Sequence, residues 1–212
     1  HLSFTGGEPT IQKEFSPKFF DMLDRQINYD TMFFSMNTNC SKFVHRPWQN
    51  FVKKLKRVMI MASIDGIGPV GEWVRLGLKM SIWERNVLKW KNLLKDNDEY
   101  TYGDMTSGVW SNFVMTNYNI FNMTETEKYL TSLNIKMRKT NCFSPKYLSP
   151  EYLPDHIKKE LPTDDFTQSI LNNNDYDIDC CREFILYTKY LESFQKAPEE
   201  ALFIYKKLKE YV

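Results

Sequence analysis

Short apolar runs alternate along this chain with segments of helical spacing. Residues 2–5 (LSFT), 31–38 (TMFFSMNT), 57–64 (RVMIMASI) and 108–116 (GVWSNFVMT) read as strands, with 134–140 (NIKMRKT) as a weaker fifth. Between the first two, 17–27 sets Phe19, Phe20, Leu23 and Ile27 at helical spacing, with Ser16 as N-cap and Pro17 at the first helical position. Residues 48–55 form a short amphipathic helix. The strongest helix is 82–95, where Trp83, Val87, Trp90, Leu93 and Leu94 recur at three- and four-residue steps. Residues 124–133 open on a capping-box signature, Thr124 followed by Glu127. Strands alternating with helices specify an α/β fold with a parallel sheet and right-handed crossovers.

After residue 141 the pattern changes. Pro145, Pro150, Pro154 and Pro162 punctuate an irregular stretch, and helical spacing returns at 155–160, 164–172, 179–194 and 198–211. Residues 172–175 (NNND) form a polar hinge. The expected organisation is an α/β core over 1–141 and a mainly helical extension over 142–212 packed on it.

Composition narrows the function classes. The chain has 212 residues, enough for one large domain, and its net charge of +1 implies no general attraction to nucleic acid or to an anionic membrane. No apolar stretch approaches the roughly 20 residues that span a bilayer, and no signal peptide is visible, so a cytoplasmic location is expected. The basic run Lys53-Lys54-Leu55-Lys56-Arg57 reads as the solvated face of a helix. Cys40, Cys142, Cys180 and Cys181 show no C-x2-C or C-x3-C spacing and read as reduced thiols. Cys180 and Cys181, as helix neighbours, point in different directions. His1, His45 and His156 are scattered, without metal-ligand or triad spacing.

The polar patches carry the chemistry. Gly6-Gly7-Glu8-Pro9 follows the first strand. Its glycines allow a sharp turn with open carbonyls, and Glu8 can face an ammonium group. Asn37-Thr38-Asn39 ends the second strand with groups suited to sugar hydroxyls. Ser63-Ile64-Asp65-Gly66 ends the third, where a carboxylate is costly to bury unless it is paired. Arg75, ten residues after Asp65, can grip a carboxylate through two hydrogen bonds or pair with Glu72. Three polar patches at successive strand ends suggest one site assembled from three loops, as at the carboxyl face of a parallel barrel.

Taken together, FTGGEPTIQKEF, SMNTNC and MASIDGIGPVGEWVRLG resemble the motifs of the radical S-adenosylmethionine (SAM) superfamily, in the same order and at similar spacing. The closest likeness is the subgroup with a twitch-type C-terminal extension, found in phages and environmental bacteria. The tail shares it less closely, through 147–154 and the helix around 184–194. The resemblance implies a partial (β/α)6 TIM-like barrel of which this chain holds the second to sixth strands. It implies that Gly6, Gly7 and Glu8, with Pro9 stiffening the turn, hold the methionine ammonium of SAM. Thr38, Asn39 and Ser63 would lie near its ribose or carboxylate, beside Asp65. Arg75 would meet the carboxylate, and Asn117 and Tyr118 would face adenine or substrate.

Two departures stand out. Cys40 replaces a glycine, and the C-x3-C-x2-C loop that binds a [4Fe–4S] cluster is absent. In the family that loop precedes Gly-Gly-Glu-Pro. Because 1–5 reads as a strand already in progress, the chain is expected to be an N-terminally truncated fragment, inactive as it stands. The resemblance implies a full-length parent that cleaves SAM to a 5′-deoxyadenosyl radical and abstracts hydrogen from a peptide or protein side chain, with a reductase as electron donor. Two other readings remain at this level. One is a cluster-less relative that serves as a binding or docking module, the other an ordinary nucleotide-binding α/β protein. The aromatic tail (Phe184, Tyr187, Tyr190, Phe194) reads as helical core, with a substrate lid as the alternative.

Overall fold

The computed structural model describes residues 1–13, 15–97, 100–102, 105–173 and 175–212. Its central feature is a five-stranded sheet, bounded by β1 (Leu2–Phe4) and β7 (Lys136–Asn141), with β2 (Phe33–Thr38), β3 (Arg57–Ser63) and β6 (Gly108–Met115) between them in that order. Neighbouring strands run parallel, with Phe4 opposite Met36, Thr38 opposite Ala62, and Ser63 opposite Asn112. Each of the five strand expectations falls on a strand, the first four trimmed by one or two residues at an end and the fifth shifted to start two residues later and end one later. The central strands explain this legibility. β3 is buried continuously from Val58 to Ala62, the signature of a parallel strand covered on both faces. This is the α/β architecture of a partial TIM-like barrel, and the helical C-terminal segment is present.

The chain divides into two compact units. The first comprises His1–Ser63, Lys79–Asn112 and Asn134–Lys136. In it, α1 (Pro17–Asp24) and α2 (Arg46–Lys54) bring Phe20, Trp48 and Phe51 together, and Phe34 meets Phe51 edge-on. α4 (Met80–Leu93) buries Trp83, Val87 and Trp90 completely, as its spacing requires. Tight aromatic packing of this kind contributes beyond simple area burial. A two-stranded antiparallel ribbon, β4 (Thr101–Tyr102) with β5 (Met105–Thr106), was not visible in the sequence. Its strands are too short to carry a period.

The second unit comprises Ile64–Leu78, Phe113–Leu133 and Met137–Val212. It contains α3 (Gly68–Val74), α5 (Met123–Ser132), α6 (Asp155–Lys158), α7 (Asp165–Leu171), α8 (Ile178–Glu192) and α9 (Phe203–Tyr211). Phe113, Met115, Tyr118, Phe184, Ile204 and Leu208 lie in one apolar core. The helical reading of the tail therefore stands for Phe184. Tyr190 and Phe194 are instead exposed.

Several local expectations need correction. Ser16 precedes α1 but makes no side-chain cap bond. The Thr124–Glu127 capping box does not form, because a 3-10 turn at Ile120–Asn122 runs straight into α5 and leaves Thr124 inside the helix. Glu127 instead pairs with Lys139 at 2.8 Å. A capping box does form at α7, where Asp164 and Thr167 bond reciprocally. Helix α3 was missed, since Gly68, Pro69 and Gly71 hide its periodicity. The basic run is not one helical face: α2 ends at Lys54, Leu55 is buried, and Arg57 begins β3. Cys180 and Cys181, although adjacent, are both buried. In the 172–175 hinge, Asn174 lies outside the described residues.

Candidate functional site

In the first unit the β1 and β2 ends are tied by a single carboxylate. Gly6 and Gly7 adopt positive φ (82° and 58°), conformations open to glycine at little cost, and they aim the chain into a 3-10 turn at Pro9–Ile11. Glu8 is buried and caps that turn. Its Oε1 accepts hydrogen bonds from Thr10 N (3.1 Å), Thr10 Oγ1 (2.6 Å) and Thr38 Oγ1 (2.8 Å), and its Oε2 accepts from Asn39 N at 2.6 Å. Four donors satisfy the desolvated charge, so the carboxylate serves as a bracket between two loops. A Cβ on Gly6 would meet nothing within 4 Å. Next to Gly6 lies a cavity of about 300 Å³ lined by Ser3, Phe4, Thr5, Pro9, Gln12 and Phe15. Both carboxylate oxygens of Glu8 are thus already engaged within the two loops.

Thr38 and Asn39 are drawn into the same network. Thr38 Oγ1 also accepts from Cys40 N at 3.0 Å, and Asn39 Oδ1 accepts from Ser41 N at 2.8 Å. Cys40 takes φ 55°, the left-handed region, at the position where the motif has glycine. That conformation costs a residue bearing a Cβ roughly 1–2 kcal/mol. Asn86 Nδ2 donates to its carbonyl at 2.8 Å and holds the strained turn. Burial pushes the Cys40 thiol up to about 12, and the Glu8 charge adds to this. Ser63 closes β3, and its carbonyl accepts from Trp83 Nε1 at 3.0 Å.

In the second unit Asp65 and Arg75 come together. Asp65 is buried, and its Oδ2 accepts from Arg75 Nε at 2.6 Å. Its Oδ1 accepts from Val114 N at 2.9 Å, and its backbone carbonyl accepts from Asn119 Nδ2 at 2.9 Å. The pair engages Nε of the guanidinium, and among the described residues no hydrogen bond is made by its two Nη groups. Asn119, which sequence reasoning missed, stitches three segments here. It also donates to Val114 O at 2.9 Å, and its Oδ1 accepts from Thr116 N at 2.7 Å. A buried Asn two residues past a strand-end Asn is a faint signal, legible only after the strand is placed.

Asn117 lies just beyond the carboxyl end of β6. Its backbone N–H donates to Leu148 O at 2.8 Å and its Nδ2 to Tyr147 O at 3.0 Å. Those bonds fix the amide orientation and leave Oδ1 buried with no partner among the described residues. A buried orphan acceptor is costly unless a ligand or water completes it. Tyr118 turns the other way, into the core, where its hydroxyl meets Thr188 Oγ1 at 2.8 Å. Burial pushes that phenol's pKa upward. Tyr118 therefore packs within the core of this unit.

No set of three or more His, Cys, Asp or Glu side chains is placed to hold a metal among the described residues. Burial raises the pKa of all four cysteines, Cys180 to about 11 and Cys181 to about 12. No three of them are grouped to hold a metal, so the described residues do not supply the ligand set of a [4Fe–4S] centre.

No protein-family model and no curated protein matches the sequence. The fold is similar to that of native anSMEcpe with bound AdoMet and Kp18Cys peptide, at 20% identity and a TM-score of 0.49, covering 91% of this chain and 45% of that one. It is also similar to Streptococcus suis SuiB bound to S-adenosylmethionine, at 12% identity and a TM-score of 0.49, covering 92% of this chain and 36% of that one. SuiB bound to precursor peptide SuiA matches at 13% identity and a TM-score of 0.48, covering 97% of this chain and 40% of that one. The chain thus spans less than half the length of each. Likeness at this level carries no residue role from those proteins to this chain.

Proposed function

We propose that this chain is the SAM-holding body of a radical SAM enzyme. The observation that carries the reading is the Glu8 bracket. It joins the Gly-Gly-Glu-Pro loop to the Asn-Thr-Asn loop at adjacent strand ends, two motifs that the sequence resemblance assigns to one cofactor. Each unit, taken by itself, offers groups that the resemblance assigns to SAM. The open carbonyls of Gly6 and Gly7 suit the methionine ammonium, and the spare Nη groups of Arg75 suit the carboxylate. Asp65 holds that guanidinium in place. Thr38, Asn39 and Ser63 supply polar groups for the ribose, and the orphan Oδ1 of Asn117 suits an amine such as that of adenine. Pro9, buried behind the turn, stiffens it.

SAM brings a sulfonium whose carbon–sulfur bond can be cleaved by one electron, and the chain's residues bind and orient it. The thiolates for a [4Fe–4S] cluster are not offered by the residues described here, so no cleavage step is assigned to them. For a protein that adds three such thiolates to this chain, with a reductase as electron donor, the proposed activity is hydrogen abstraction from a substrate. A peptide or protein side chain is the class that the twitch-type resemblance favours.

Asn117→Ala provides the test. It is expected to weaken SAM binding about tenfold, the worth of one hydrogen bond in a desolvated site. Equilibrium dialysis with labelled SAM measures this, and circular dichroism verifies the fold. Unchanged affinity in a folded variant would remove Asn117 from the site.

A further inference from the structure

A second concave surface lies at the opposite end of the first unit. α2 ends at Lys54 just before β3 begins, and α4 ends at Leu93 ahead of β6, so both helix C-termini lie at the amino ends of the strands. Between them is a groove of about 870 Å³ lined by Lys53, Lys54, Lys56, Lys89 and Lys95, with Phe43, Asn92 and Asn97. Asp96 is the one acidic side chain on its wall among the described residues. The length of β3 separates it from the Ser63 end by roughly 20 Å.

The charges on this wall are only partly balanced. Asp24 pairs with Lys54, and Asp30 with Lys56 at 3.0 Å. Lys89 lies over the Phe43 ring at 5.5 Å. Lys53 and Lys95 are exposed and have no ion pair or hydrogen bond among the described residues. A helix C-terminus favours a cation in its last turn, which accounts for Lys53 and Lys54. It does not account for Lys56 and Lys95, which lie beyond the helix ends and extend the positive wall.

The geometry points to a docking groove for an acidic polypeptide segment, set apart from the strand-end site. Lysines spaced around a concavity complement a run of carboxylates, and such complementarity sets specificity and encounter rate. The exposed amide of Asn92 is suited to pair with a peptide backbone. Single-stranded nucleic acid fits less well, because it needs open aromatic faces for base stacking. The one aromatic ring on this wall among the described residues, Phe43, is covered by Lys89 and packs edge-on against Trp90, with ring centroids 5.1 Å apart.

Fluorescence anisotropy with a labelled oligoglutamate peptide and the full chain tests this. Binding is expected at low ionic strength and should weaken as salt is added. Lys53→Glu/Lys95→Glu is expected to weaken it about tenfold, and Lys53→Gln/Lys95→Gln by a smaller factor. Lys128→Glu, in the other unit, should change nothing. Both groove lysines are exposed and unpaired, so circular dichroism should show native folds. The proposal is overturned if the peptide does not bind, if both double variants bind it like the unmodified chain, or if oligothymidylate binds more tightly than the peptide.

Discussion

Gly71→Ala is expected to destabilise the chain by about 3 kcal/mol, the upper range for a forced overlap in a packed interior. Gly71 lies in the middle of α3, where the helix backs directly onto the turn after β3. A Cβ there would sit 2.1 Å from the carbonyl oxygen of Gly66 and 2.5 Å from its carbonyl carbon. Both are backbone atoms, so no rotamer change relieves the overlap. Gly66 has little room to retreat. At φ 146° it takes a conformation reserved for glycine, and Asn122 Oδ1 and the Gly71 backbone already crowd its own Cβ position. For a chain of this size the change corresponds to a fall in Tm of roughly 6–12 °C, measurable by thermal unfolding followed by circular dichroism. A variant that melted with the unmodified chain would show that α3 does not approach the turn as described.

Asp65→Ala is the second large effect, at about 3 kcal/mol. The cost comes from what the carboxylate leaves behind: the Arg75 guanidinium and the Val114 N–H, both of which point at it. Arg75 is partly exposed, with 29% of its side chain accessible, so water recovers some of its solvation, and Val114 N–H recovers less. Asp65→Asn should cost about half as much, since an amide oxygen can still accept from Val114 while the charge pairing is lost. The cycle with Arg75→Ala separates the two contributions, because removing both partners should cost less than the sum of the single changes. Urea denaturation of the four proteins gives the values. Strict additivity would mean that the ion pair is not formed in solution.

These two predictions rest on features that differed in how far the sequence disclosed them. The strands were legible because β2 and β3 are buried on both faces, and continuous apolar runs such as Val58–Ala62 leave little alternative. α4 was equally plain, its tryptophans set by helical spacing. α3 was hidden because the feature that lets it pack, glycine at 68 and 71, is also what makes a segment read as loop. The Asp65–Arg75 pair was half legible. The residue types suggested charge pairing, but only the turn and helix between them place position 75 back against position 65.

The three polar motifs fall at the ends of β1, β2 and β3, as read from the sequence, yet the role of Glu8 was not readable from its neighbours. A glutamate after two glycines reads as a group turned toward a ligand. The structure spends both of its oxygens on Thr10, Thr38 and Asn39, partners up to 31 residues away that no local pattern connects. Cys40 shows the converse. Its backbone takes a left-handed conformation that glycine adopts at little cost, and its side chain is buried, so the turn carries strain.

The measurement that tests the central claim most directly is an isothermal titration of SAM into the chain, with Arg75→Ala run in parallel. One saturable site, weakened in the variant, is the predicted result. Absence of saturable binding in folded protein, or binding indifferent to Arg75, would contradict the assignment of these strand-end loops to SAM.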